Sequence, residues 1–229
     1  RIGGTAMKIT WKAIFASMLA WSVLFLWHIQ PIFAETNDQI KRIDQYILNN
    51  MNKNNIPGLS VAVTYHNKVI MTKGYGYTSN QKKITADTPF AIASLSKAFT
   101  AMAVMQLAES GKIQLDQPVV TYIPDFRLAD PRGKKITVRQ LVQHTSGLTD
   151  KVNPDMTLDP QPKSFQHFLQ HFHSVLLASE PGKEYHYHNP NYILLAYLVE
   201  AVSKEKFPDY MQKHILYPLT MINTKLMNT

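Results

Sequence analysis

Ser94-Leu95-Ser96-Lys97 opens a run of helix formers that continues to Glu109 and stops at Gly111. Its apolar residues include Ala98, Ala101, Met102, Met105 and Leu107, and Met102 and Met105 read most simply as core packing. A serine and a lysine three positions apart share one helical face, so their side chains can meet. A serine hydroxyl is a poor nucleophile until a base takes its proton, and a lysine desolvated in a crowded pocket can serve as that base. The helix N-terminus adds N–H groups and positive dipole where an oxyanion would form. Serine and lysine are common, and Ser94 read alone is equally an N-cap.

A second stretch, Pro181-Gly182-Lys183-Glu184-Tyr185-His186-Tyr187-His188-Asn189, precedes another helical pattern, with Ile193, Leu194, Leu195, Tyr197 and Leu198 apolar. Tyr187-x-Asn189 begins 93 residues after Ser94. A tyrosine beside a lysine can act as phenolate base or proton relay, and an asparagine amide can hold both a substrate carbonyl and the lysine. Read alone, these are a loop tyrosine and an N-cap asparagine. A third stretch, His144-Thr145-Ser146-Gly147-Leu148, reads locally as a helix C-terminus closed at Gly147.

Together and in this order, the three stretches resemble the serine β-lactamase and penicillin-binding superfamily, in particular its class C β-lactamase and D-alanyl-D-alanine carboxypeptidase branch. The resemblance runs from about Ile40 to Leu226. It implies Ser94 as the acylated nucleophile, Lys97 as its base partner, Tyr187 as the catalytic tyrosine and Asn189 as a substrate-binding residue. The spacing to Lys97 selects Ser94 over Ser96, and the spacing to Asn189 selects Tyr187 over Tyr185. The implied substrates are a peptidoglycan stem peptide ending in D-Ala-D-Ala, a β-lactam, or a related ester or amide, and no cofactor or metal is implied. Two departures stand out. His188 occupies a position that is usually Ser or Ala. No Lys/His-Thr/Ser-Gly triplet follows Asn189, and Thr224-Lys225-Leu226 does not qualify.

Working outward, Asp38–Asn50 carries Ile40, Ile43, Ile47 and Leu48, with Met51 beyond, as a helical stripe ended by Pro57-Gly58. Leu59, Val61, Val63 and Tyr65 alternate, His66-Asn67-Lys68 turns, and Val69–Tyr77 continues β-rich, predicting a hairpin. Leu115–Phe126 and Asn153–Pro162 read as loops. Thr137 caps a short helix through Val142, and Phe165–Leu177, Asn191–Val202 and Phe207–Leu216 read as helices. Two early strands followed by helices predict an α+β fold. With the resemblance this becomes a β-lactamase/transpeptidase-like fold whose helical region and N-terminal hairpin are present and whose C-terminal sheet strands are missing. The expected consequence is a truncated domain over 35–229, poorly folded and nearly inactive by itself, since an isolated hairpin is marginal.

The N-terminal segment reads as an address. Met7-Lys8-Ile9-Thr10-Trp11-Lys12 is basic, Ala13–Trp27 is apolar apart from two serines, and Pro31-Ile32-Phe33-Ala34 precedes a polar switch. Residues 7–34 are therefore expected to be a signal peptide cut after Ala34. Residues 1–6 are expected to be a non-native leader, since Ile2-Gly3-Gly4 can encode a ribosome-binding GGAGG shortly before Met7. The expected location is outside the cell or on the outer face of the cytoplasmic membrane of a Gram-positive bacterium. Membrane contact is confined to the signal segment if it stays uncleaved.

Composition bounds the alternatives. The 229 residues have no cysteine, which excludes a disulfide scaffold, a Cys-ligated zinc site and an iron–sulfur cluster. Lys and Arg total 24 against 16 acids; three of the bases and none of the acids lie in 1–34, so the remainder carries 21 against 16. No basic run is interleaved with aromatics, so nucleic acid is not an expected partner. His167 and His171, with His173, His186 and His188, raise a metal site as a rival, but no Glu follows His167 in the zinc-protease manner. A second rival is a non-catalytic peptidoglycan- or β-lactam-binding protein, which the missing triplet favours.

Overall fold

The computed structural model describes residues 38–149 and 165–226, which divide into two compact units meeting in sequence between Ala91 and Ile92. The leader at 1–6, the signal segment at 7–34 and most of the 153–162 loop lie outside the described residues.

The first unit is a helix on a hairpin. Helix α1 (38–54) turns Ile40, Ile43, Ile47 and Met51 to one side, a stripe repeating at helical period. Leu48, which the sequence reading put in that stripe, is exposed, as is Tyr46; both lie off the 40–43–47–51 line. The helix stops one residue earlier than Pro57-Gly58 requires. Asn55 takes the left-handed conformation (φ 52°) and Ile56 N–H donates back to Met51 O at 2.9 Å. Strands β1 (Gly58–Tyr65) and β2 (Lys68–Gly76) pair antiparallel from Gly58↔Gly76 to Tyr65↔Lys68. His66 and Asn67, at φ 46° and 59°, make the two-residue turn that fits the strand twist. A bulge past Val63 leaves Ile70 unpaired and brings Met71 and Tyr75 onto the buried face. Gly74 is obligatory: a Cβ there would lie 2.4 Å from Ile84 O. Asp44 fastens the helix to β2, accepting from Lys73 Nζ at 2.7 Å and from the buried Tyr75 hydroxyl. Burial and that carboxylate push the Tyr75 phenol up to about 12.

The second unit is helical. A 3₁₀ turn at Ala93–Leu95 leads into α2 (Ser96–Glu109). Then come α3 (Val138–Val142), α4 (Phe165–His171), α5 (Asn189–Ser203) and α6 (Phe207–Tyr210), the last followed by a π turn over Met211–Leu216. Ala103, Val104 and Leu107 of α2 bury against Leu194, Leu195, Leu198 and Val199 of α5. Val138 and Leu141 of α3 close one end, and Phe126 meets Phe172 edge-on at 5.4 Å. Met102 and Met105 are not core residues. They are 41% and 49% exposed, because the buried face runs through Thr100, Ala103, Val104 and Leu107, and 102 and 105 fall outside it.

Helix ends explain most of the remaining differences. The helix expected over 165–177 becomes 3₁₀ at Phe172 and ends at Ser174, since Val175 is extended. Thr137 caps α3 as expected, in a full capping box with Gln140. The residue that closes α3 is His144 (φ 56°), not Gly147. Its N–H donates to Leu141 O at 3.2 Å and Thr145 N–H donates to Gln140 O at 2.9 Å, a complete Schellman pair. Gly147 makes a second, separate turn (φ 83°) packed so closely that a Cβ would lie 2.4 Å from Ser179 O.

Candidate active site

Ser94, Lys97, Tyr187 and Asn189 all lie in the second unit. The approach to Ser94 is strained. Ala93 is left-handed at φ 44°, a conformation costing about 1–2 kcal/mol for a residue with a Cβ. The chain therefore enters α2 on a sharp 3₁₀ turn with Ser94 exposed at its centre. One helical turn later Lys97 Nζ donates to Ser94 Oγ at 3.2 Å. From the other side the Tyr187 hydroxyl donates to the same oxygen at 2.7 Å. Lys97 Nζ stands 4.9 Å above the Tyr187 ring and 5.9 Å from that of Tyr192. The hydrogen bond from Lys97, then that with Ser94, holds the Tyr187 phenol below its ordinary value. Two groups that can take a proton thus converge on one hydroxyl oxygen, and the same spacing serves when Ser94 is the donor.

Asn189 is the first residue of α5 and is half-buried. Its amide makes no hydrogen bond to Ser94, Lys97 or Tyr187, so the structure brings three of the four expected residues into direct contact and places the fourth beside them in sequence. His188 is wholly buried, with the extended backbone of an N-cap. Exposed Tyr185 points its edge at His144, ring centres 6.0 Å apart.

The segment carrying Tyr187 is held by backbone. Ala178 N–H donates to Gly147 O at 2.9 Å, Gly182 N–H to Thr145 O at 2.7 Å, and His186 N–H to His144 O at 2.8 Å. The His-Thr-Ser-Gly stretch is thus more than a helix terminus: its carbonyls are the rail along which the tyrosine segment is laid. Asp130 anchors the start of that segment. It is buried, accepts from Leu177 N–H at 3.1 Å, and takes a two-pronged bond from Arg132 at 2.9 and 2.6 Å. Those bonds hold its carboxyl well below the usual range. Arg132 reaches on to Leu177 O and Glu180, each at 3.0 Å.

Three residues that the sequence reading left without a role lie beneath the tyrosines. His144 Nδ1 accepts from His188 N–H at 3.1 Å and faces Asn191 Nδ2 at 3.2 Å, while Ser146 Oγ donates to Asn191 Oδ1 at 2.9 Å. Asn191, Ser146 and His144 are all buried. A polar His-Thr-Ser at a helix end, facing a second asparagine two residues past Asn189, is the sequence signal that marks them. Of the histidines weighed as a metal site, the His167 side chain lies outside the described residues. His186 sits on Glu184 at 3.0 Å, and among the described residues no three potential ligands converge.

Comparison with known proteins gives the family. Residues 43–228 match the family model described as Beta-lactamase. Protein flp of Staphylococcus aureus (strain MW2) is 32% identical over 197 residues, covering 85% of this chain and 40% of the relative. The putative penicillin-binding protein PbpX of Bacillus subtilis (strain 168) is 31% identical over 199 residues, covering 85% and 48%. Among solved structures, a class C beta-lactamase in complex with cefoxitin superposes with a TM-score of 0.74 at 28% identity, covering 85% of this chain and 53% of that one. The octameric penicillin-binding protein homologue from Pyrococcus abyssi superposes with a TM-score of 0.67 at 28% identity, covering 80% and 43%. The chain thus spans about half the length of the relatives it matches. With a helical unit, a two-stranded antiparallel sheet and a family match over most of its length, it belongs to the Beta-lactamase family.

Proposed function

We propose that the chain is a serine hydrolase acting through an acyl-enzyme on D-Ala-D-Ala-like peptides, β-lactams or related esters and amides. The observation that carries this is the double approach to Ser94 Oγ, by Tyr187 at 2.7 Å and Lys97 at 3.2 Å. Ser94 Oγ attacks the substrate carbonyl carbon while its proton passes to the Tyr187–Lys97 pair. The tetrahedral adduct collapses, the carbonyl–nitrogen or carbonyl–oxygen bond breaks, and the leaving atom takes the proton back. Water, deprotonated by the same pair, then attacks the Ser94 ester and releases a carboxylic acid. A depressed phenol pKa suits this work, because a base is most effective when its pKa lies near the working pH. Asn189, half-buried two residues after Tyr187 and with no side-chain hydrogen bond to Ser94, Lys97 or Tyr187, is suited to hold the substrate carbonyl.

The test uses the full chain and a fluorescent penicillin. The reading expects covalent label on Ser94, located by peptide mass, and none on Ser94→Ala. A folded wild-type chain that takes no label, or a Ser94→Ala variant that still does, overturns it. A second reading is a binding protein that acylates without turning over. Nitrocefin hydrolysis by the labelled preparation separates the two. Location outside the cell, directed by residues 7–34, is part of the same proposal, and a cleaved N-terminus at Glu35 in secreted material is its check.

A further inference from the structure

His144 closes α3 in the left-handed conformation, which costs a residue with a Cβ about 1–2 kcal/mol. Among the described helix ends, α1 closes on a left-handed Asn55, α2 on a left-handed Gly111 and α5 on a left-handed Lys204. At the matching place after α3 the chain puts His144 at φ 56°. The backbone alone does not single out His144; a use for the residue has to be read from its side chain.

The side chain shows that use. The ring lies tilted beneath two tyrosines, 4.6 Å from Tyr187 at 34° and 5.1 Å from Tyr192 at 32°. Those are the two rings beneath Lys97 Nζ. Nδ1 is fixed as an acceptor, because His188 N–H has nothing but a proton to offer it. Asn191 is oriented to match: its Oδ1 accepts from Ser146, which turns Nδ2 towards the same ring nitrogen. The backbone bond from His186 N–H to His144 O brings the tyrosine segment to the same residue. Tyr192 is tied down independently, its hydroxyl donating to Val142 O at 3.0 Å.

We propose that His144 is a positioning residue whose neutral ring, gripped at Nδ1 by two N–H donors, forms the shelf that sets Tyr187 and Lys97 against Ser94. This rests on the serine-hydrolase reading for its activity arm only. Protonating Nδ1 would turn an acceptor into a donor facing two donors, and would place a second positive charge beside Lys97. The groups facing the ring are Lys97 from α2, Tyr192 and Asn191 from α5, and Tyr185, Tyr187 and His188 from the segment before α5. None of them is a carboxylate that would favour the imidazolium. Burial, and then the charge of Lys97, hold the imidazole below its ordinary pKa. The shelf therefore stays neutral to a lower pH than an ordinary imidazole would, and it fails where the ring is protonated.

The test uses the full chain labelled with ¹³C at histidine Cε1 and tyrosine Cζ. His144→Asn and Tyr187→Phe assign the two signals; Asn accepts a left-handed φ and keeps a short acceptor while removing the ring. The expectation is that the Tyr187 signal steps at the pH where His144 titrates, and that this step is lost in His144→Asn. In the activity arm, acylation by the fluorescent penicillin falls about 10–100-fold in His144→Asn, as misplacement by a fraction of an ångström would produce. The wild-type rate also shows an acid inflection at the His144 titration that the variant lacks, while the inflection of the Tyr187–Lys97 pair remains in both. A Tyr187 signal indifferent to His144, or a variant profile that superposes on the wild type after scaling, overturns the proposal. If the wild-type chain takes no label, the function reading fails and the coupled or uncoupled Tyr187 signal alone decides the role of His144.

Discussion

The two units of this chain are stabilised in different ways. Among the described residues, the helix-and-hairpin unit buries five apolar side chains, Ile47, Met51, Met71, Tyr75 and Ile84, and relies on Asp44 to tie helix to strand. The helical unit buries more than twenty among the described residues, and its polar groups are enclosed in networks around Asp130 and His144. Ser94, Lys97, Tyr187 and Asn189 all belong to the second. A strained Ala93 and a strained His144 persist only where surrounding packing over-determines them, and the second unit has that packing.

The largest effect should come from the chemistry. Tyr187→Phe removes a proton acceptor from Ser94 and leaves the ring stack intact, so penicillin labelling should fall about 10²–10⁴-fold with the fold unchanged by circular dichroism. Undiminished labelling would break the assignment. Next is core truncation. Leu195→Ala should destabilise the helical unit by about 2–5 kcal/mol in urea titration, and α5 amides should lose exchange protection before those of the hairpin do. If the hairpin instead lost protection first, the two units would not be separately cooperative. Asp130→Ala should cost about 3 kcal/mol, because Arg132 and Leu177 N–H would lose a buried acceptor; exchange should rise first over residues 175–182.

A smaller effect is pH-dependent. The folded chain holds the His144 pKa below its ordinary 6.5, so the unfolded chain binds that proton first as the pH drops. The helical unit should therefore lose stability below pH 6.5, down to the folded value, and His144→Asn should be less sensitive over that window, read by urea midpoint against pH. Equal slopes would remove His144 from the balance. The smallest effect is Asp44→Ala, which should speed exchange in β2 alone and leave the urea midpoint of the helical unit where it was.

Much of this was legible beforehand, and the illegible parts share a cause. The hairpin followed from strict alternation and an Asn at its turn. The α3 cap followed from Thr137, and the Ser94–Lys97 pair from helical spacing. What failed was anything set by packing rather than by local period. Met102 and Met105 are apolar but lie off the buried face. Leu48 is one residue past the α1 stripe. Gly147 looked like the helix stop because glycine favours left-handed backbone, whereas the stop is His144, held there by its side-chain partners. Ser146 and Asn191 could not be paired across 45 residues by any local rule.

The rail that holds Tyr187 is made of main-chain bonds from Ala178, Gly182 and His186 to the carbonyls of Gly147, Thr145 and His144. Main-chain bonds are indifferent to which side chains the segment carries. Lys183, Glu184 and Tyr185 are all exposed along it. They can therefore be exchanged with little loss of fold while Tyr187 keeps its place on Ser94. A combinatorial library at these three positions should leave the Tyr187–Ser94 contact intact.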